Sequence, residues 1–252
     1  MIARLPRLSH DLGPVAAQSL RLASRIVNML GAGFAVKEYA ELSSYSLVLI
    51  CVPAMHLDVL TGKLASAMPW QGKTALLCDM DANSARLDPL RAAGASVGSM
   101  KTIAGFDDRF ITEGDRPAMR HAARLAHHIG GRIEEVSIGR MAVYEAALSF
   151  SSSLFVPLME ASVECLLEAG FRKDSAVDIS EALFQLTVRG YRYSGKRSWS
   201  GALASGDSKK VFSELKALGE RKPLLAKYYR SAAAFALDQF QRHSALRRSL
   251  EP

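Results

Sequence analysis

The chain has 252 residues, 49% hydrophobic and 23% charged, with a formal net charge of +7 and a pI near 9.4. That length suits one or two domains, and the composition is globular, which excludes disordered, collagen-like and Pro-rich chains. No uninterrupted apolar run reaches the roughly 18 residues of a membrane span, Met1 to His10 lacks the apolar stretch of a signal peptide, and the positive charge attracts anions without choosing among nucleic acid, acidic lipid and a phosphorylated cofactor.

In chain order, Leu12 to Ala17 reads as a short strand and Leu20 to Leu30 as a helix, with Leu22, Ile26, Met29 and Leu30 at helical spacing and Gly31 and Gly33 stopping it. Phe34 to Val36 is a short strand and Glu38 to Leu42 a short helix. Ser46 to Val52 is a continuous apolar run of β-preferring residues, the mark of a strand covered on both faces in a parallel sheet. A helix follows from His56 to Met68, then a second buried strand from Thr74 to Cys78. Asp81 to Ser84 caps a helix that runs through Arg91 and ends at Gly94. Strands over Ala95 to Met100, Phe110 to Glu113 and Ile133 to Ile138, with a helix from Pro117 to Ile129, complete the alternation. Strands alternating with helices give an α/β fold, a mostly parallel sheet that binds ligands beyond the carboxyl ends of its strands.

After about Gly139 only helical patterns remain: Tyr144 to Ala169, with a kink expected at Pro157, then Asp174 to Val188, Asp207 to Leu218 and Leu224 to His243. The basic end, Arg242 to Arg248, reads as a fraying tail. Cys51, Cys78 and Cys165 lie in apolar runs without CxxC spacing, as buried reduced thiols of a cytoplasmic protein. His121, His127 and His128 lack metal-ligand spacing, so no metal is expected.

Gly31-Ala32-Gly33 follows a helix and not a strand, so it is a helix cap and not a dinucleotide loop. Ser19 and Arg21 follow the first readable strand, with no acid beside them. Arg in that place suits the 2′-phosphate of NADP, whereas Ser19 as a plain cap and Arg21 as a solvated side chain is the other reading. Cys51, Val52 and Pro53 end a buried strand where a nucleotide ribose would lie, or simply stop it. Arg189, Arg192, Lys196, Arg197, Lys209 and Lys210, interleaved with Tyr191, Tyr193 and Trp199, could stack a single nucleic-acid strand, hold a phosphate, or lie solvated. No RNP, zinc-finger or helix-turn-helix pattern supports nucleic acid.

Leu47 to Pro53 resembles the apolar strand of 6-phosphogluconate-dehydrogenase-like Rossmann proteins. Leu90 to Ala95 with Val97-Gly98-Ser99 resembles, more narrowly, a branch that joins a Rossmann-like domain to a helical C-terminal domain of unknown function. Phe110 to Asp115, Leu125 to Arg132, Tyr144 to Ala147, Glu168 to Gly170 and Ser200 to Asp207 match it in order. Relatives in the wider group include pyrroline-5-carboxylate reductase and NADP-linked reductases, so the resemblance implies hydride transfer with a nicotinamide. Under this alignment His10 to Val15 is the family's second strand and Ile2 to Ser9 the tail of its first helix, leaving out the first strand and its glycine loop. Lys101 and Glu145 stand where the branch has His, and Ser153 where it has Asn. Imidazole shuttles protons near pH 7, and Lys and Glu do so only when their pKa values are shifted.

These readings predict an incomplete Rossmann-like domain over residues 1–138 and a helical dimerisation or substrate domain over 139–252. The candidate catalytic residues are Lys101, Glu145 and Ser153, with Lys101 and Glu145 expected to meet as an ion pair that is either catalytic or structural. Ser19, Arg21, Cys51, Val52 and Pro53 are the candidate NADP contacts. The expected protein is a homodimer acting on a small molecule. The alternatives are a catalytically inactive relative serving as a dimeric binding or scaffold module, and a nucleic-acid binder using residues 189–210.

Overall fold

A computed structural model of the protein describes residues 11–79 and 82–250. The chain divides into two units, Met1–Ala146 and Ala147–Pro252.

In the first unit the two apolar runs form β3 (Leu47–Ile50) and β4 (Thr74–Leu77). They are joined by β5 (Ser96–Thr102), β6 (Arg109–Gly114) and β7 (Arg132–Glu135) in one five-stranded sheet of order β3-β4-β5-β6-β7. The first three strands are parallel, β6 runs antiparallel to β5, and β7 is parallel to β6. The short link over residues 103–108 explains the reversal, because a parallel crossover needs a dozen residues or more. Helices cover both faces. Leu57 and Leu64 of α2 (Leu57–Ala67) and Leu90 of α3 (Asp88–Ala92) pack with Val48, Ile50, Ala75, Leu77 and Val97. Ala122 and Ala126 of α4 (Arg116–His128) pack with Leu76, Met100 and Phe110 on the other face. At about 25 cal/mol per Å² of apolar area, this two-sided burial is the main stabilising term.

A second, two-stranded sheet pairs β1 (Pro14–Ala16) with β2 (Phe34–Val36) in parallel, connected by α1 (Leu20–Leu30). Ser19 caps α1, and Gly31 closes it in the left-handed region at φ 65°. Among the described residues no strand joins β1 to β3, so the sheet is in two pieces there. The stretch Ile2 to Ser9, read as the tail of a first helix, lies outside the described residues, as do His10 and Asp81.

The second unit is all helical. It takes up the end of α5 (Met141–Ser151), then α6 (Phe155–Glu168), α7 (Lys173–Ser194), α8 (Ala202–Ser205), α9 (Ser208–Arg221), α10 (Pro223–Phe240) and α11 (Ser244–Ser249). Three expectations are corrected. The long helix breaks at Ser152 to Leu154, and Pro157 falls in the first turn of α6, where its missing N–H has no helical partner to lose. The basic end is no fraying tail: Leu246 and Leu250 are buried against Val211, Leu215, Ala233 and Leu237. The cysteines are free but not buried, with Cys51 and Cys165 exposed and Cys78 half-buried.

By length and composition alone, Met141–Glu168 is apolar enough to cross a membrane. The turn at Ser152 divides it, and it carries Glu145, Glu160, Glu164 and Glu168.

Candidate functional site at the carboxyl end of the sheet

β5 outruns β4 while staying paired with β6 through Thr102. Ser99 pairs with Leu77, the last residue of β4, so Lys101 stands two residues past the carboxyl edge of the parallel strands. Its side chain is only 4% exposed, and its Nζ lies 3.6 Å from Oε1 of Glu145, which is 49% exposed. The two positions that replace imidazole in the resemblance therefore do meet. The pair puts a fixed ammonium at the sheet edge, with its counter-charge reaching water.

One step back along β5 lies a cluster that sequence reading missed. Glu113 on β6 faces Ser99, and its buried carboxylate accepts three hydrogen bonds. Ser84 donates its backbone N–H (2.6 Å) and its hydroxyl (2.8 Å), and the Ser99 hydroxyl donates a third (2.9 Å). Charge-assisted bonds of this kind are the strong ones, and here they pin the start of the 3-10 turn Ser84–Leu87, just beyond β4, to the sheet. The signal was in the sequence: Val97, Ser99, Lys101 on one strand and Ile111, Glu113 on the next alternate onto one face, which turns polar toward one end.

Arg86 ties the neighbouring loop to the same turn. Its guanidinium donates to Asp58 Oδ1 at 2.9 Å and to the Ala54 carbonyl at 3.2 Å. This holds the loop after β3, in which Cys51 and Pro53 are exposed and Val52 half-buried. Ala16, at the end of β1, packs on the same core cluster as Val52 and Ala54. The ends of β1 and β3 therefore share one region of the unit.

At α1, Ser19 Oγ accepts the Leu22 N–H at 3.2 Å, so the capping reading of Ser19 holds. Arg21 is exposed in the first turn, which contains no acidic residue. A helix N-terminus with an adjacent cation favours an anion. Ser153 is exposed in the turn between α5 and α6, in the second unit. Trp199 is taken out of the basic stretch by stacking on Phe240, with centroids 4.3 Å apart, while Tyr191 and Tyr193 are exposed. A separate depression of about 400 Å³, lined by Arg116, Arg120 and Ile138 among others, lies by the ends of β6 and β7, away from Lys101. Among the described residues no group of three His, Cys, Asp or Glu could hold a metal ion.

The family described as "Domain of unknown function (DUF2520)" matches residues 109–235. No protein of curated function matches the chain significantly in sequence. Among solved structures, a Bacteroides fragilis protein described as a candidate NADP oxidoreductase superposes with a TM-score of 0.71 at 14% identity, over 92% of this chain and 91% of its own. A Thermotoga maritima protein gives 0.65 at 16% identity, over 96% and 98%. An imine reductase from Myxococcus stipitatus, solved with NADP+, gives 0.60 at 14% identity, over 94% and 90%. At these identities the likeness shows the fold: a Rossmann-like α/β sheet followed by an all-α region.

Proposed function

The chain belongs to the DUF2520 family, and from that premise we propose that it is a nicotinamide-dependent oxidoreductase, moving hydride between NADP and a small-molecule substrate. The observation that carries the NADP reading is the N-terminus of α1, where exposed Arg21 follows the Ser19 cap and no carboxylate shares the first turn. An acid there suits the free 2′-hydroxyl of NAD; an arginine suits a 2′-phosphate. The imine reductase of the same fold, solved with NADP+, supports this cofactor class.

The residues divide the work. Arg21 and the capped helix end hold phosphate, and the loop at Cys51, Val52 and Pro53, exposed at its first and last residues, receives the ribose. NADPH, when bound, supplies the hydride. Lys101 acts as a hydrogen-bond donor to a substrate oxygen or nitrogen, and Glu145, 3.6 Å away, keeps its ammonium aimed. Exposed Phe150 on α5, Val156 on α6 and Leu183, Leu186 and Val188 on α7 support a homodimer, which sedimentation equilibrium tests. We place this dimer in the cytoplasm, consistent with three free thiols.

The test is titration of the whole protein with NADPH, read by nicotinamide fluorescence. A saturable change is expected. R21A weakens NADPH about tenfold, roughly 1.4 kcal/mol, and leaves NADH nearly unchanged. Equal losses for both cofactors overturn the phosphate assignment, and no change at millimolar NADPH overturns the cofactor reading. A second reading, a dimeric binding module without turnover, draws support from the two separate sheets, β1-β2 and β3 to β7, among the described residues. A tight dimer that ignores both nicotinamides selects it.

A further inference from the structure

Cys51 and Cys78 stand 27 positions apart in the sequence, yet the sheet makes them neighbours. β3 and β4 are parallel with Ile50 opposite Leu77, and the Cys78 N–H donates to the Ile50 carbonyl at 2.8 Å. The ladder's next pair outward is therefore Cys51 and Cys78. Leu47, Leu49 and Cys78 pack on one cluster with Leu76, and the two-residue period carries Cys51 onto that same face. Adjacent strands lie about 4.8 Å apart, inside the roughly 4.4–6.8 Å between Cα atoms that a disulfide spans. The Cys78 Sγ donates to the Leu76 carbonyl at 3.6 Å. The neighbouring Cys78 thiol holds Cys51 below the ordinary thiol range, and Cys51 together with burial pushes Cys78 up. Cys51 is exposed at the sheet edge and Cys78 is half-buried behind it.

We propose that Cys51 and Cys78 form an oxidisable dithiol, closed to a reversible disulfide by a hydroperoxide. Cys51 is the attacking sulfur, being exposed, and Cys78 is the resolving one. The Cys51 thiolate displaces alcohol or water from the hydroperoxide and becomes a sulfenic acid. Cys78 then attacks that sulfur, the S–O bond breaks, and water leaves. In balance, two thiols and one hydroperoxide give one disulfide, one alcohol (or water) and one water, with two electrons passing from the sulfurs to the peroxide. A dithiol such as dithiothreitol reverses the bridge by exchange. The site needs no nicotinamide, so a protein that closes the bridge but binds no NADPH keeps this inference and loses the cofactor reading.

The experiment oxidises the reduced full-length protein with one equivalent of hydrogen peroxide and maps its peptides without reduction. The expected product is a cross-linked peptide joining Cys51 and Cys78, with the loss of two hydrogens and full reversal by dithiothreitol. C165S leaves this unchanged. C78S stops at a Cys51 sulfenic acid that dimedone traps, and C51S gives neither product; if either variant fails to fold, the native peptide map still decides. Oxidation of Cys51 and Cys165 to similar extents with Cys78 unbridged, or a bridge involving Cys165, overturns the proposal.

Discussion

Replacing Glu113 with Ala is the sharpest test of what organises the carboxyl edge. The carboxylate is 4% exposed and takes three donors from two residues that are themselves buried. Truncation strands the Ser84 N–H and both hydroxyls away from water. A buried donor left unmade costs about 1–3 kcal/mol. The hydroxyls can rotate toward other acceptors, whereas the backbone N–H cannot, so about 3–5 kcal/mol is the working figure for E113A. At about 3 °C per kcal/mol for a unit of this size, the melting temperature falls by roughly 10–15 °C. E113Q keeps the shape and one acceptor oxygen but loses charge assistance, so it loses about a third as much. Circular dichroism melts of wild type, E113Q, E113A and S84A/E113A read the series. Because S84A removes a donor that E113A has already stranded, the double variant is less unstable than the sum of the singles. A fall under 2 °C for E113A, or strict additivity, would refute the anchoring role.

Gly114 sits at φ 140°, and a Cβ there would lie 2.4 Å from both the Gly98 Cα and the Val97 carbonyl oxygen. G114A therefore forces β5 and β6 apart and costs more than about 3 kcal/mol, read as a collapsed denaturant midpoint; a normal midpoint refutes it. Tyr229 donates to Glu214 at 2.6 Å, joining α9 and α10, and burial with that carboxylate raises its phenol pKa. A raised folded-state pKa gives stability that is whole below pH of about 10 and is lost as pH climbs toward the folded value, so the wild-type advantage over Y229F, about 1 kcal/mol at pH 7, shrinks in alkali. For the Lys101–Glu145 pair, E145Q leaves a buried ammonium uncompensated and lowers stability, K101M replaces it with apolar bulk of similar size and is nearly neutral, and K101M/E145Q resembles K101M. A urea midpoint for E145Q equal to that of the wild type would show that the pair contributes nothing.

Local chemistry made most of the elements legible. α1 spans Leu20–Leu30 and β2 Phe34–Val36, as the 3.6-residue period, the Ser19 cap and the glycine stops predict. The two apolar runs become β3 and β4 because a strand covered on both faces tolerates consecutive apolar side chains, four in β3 and three after Thr74 in β4. The misreadings came where tertiary packing outranks local signal. The segment after Arg242 is basic, yet Leu246 and Leu250 bury against α9 and α10, and that contact keeps α11. Pro157 looks like a helix breaker, but a proline in a first turn costs no hydrogen bond.

The site was legible only in part, for a physical reason: its groups converge from distant stretches of chain. Lys101 and Glu145 could be paired in advance because both depart from the same resemblance, and they do lie 3.6 Å apart. Glu113 departs from nothing, so it passed as an ordinary strand residue. Register alone reveals it, by setting Ser99 opposite and letting the turn after β4 close over the carboxylate. The same register sets Cys51 beside Cys78. What the edge has in place of imidazole is therefore an ion-paired lysine on a strand, backed one step inward by a second carboxylate whose acceptor sites are taken by hydroxyls and an amide. In the oxidoreductase reading proposed above, Lys101 steadies the reacting heteroatom of the substrate, and the rate follows that hydrogen bond.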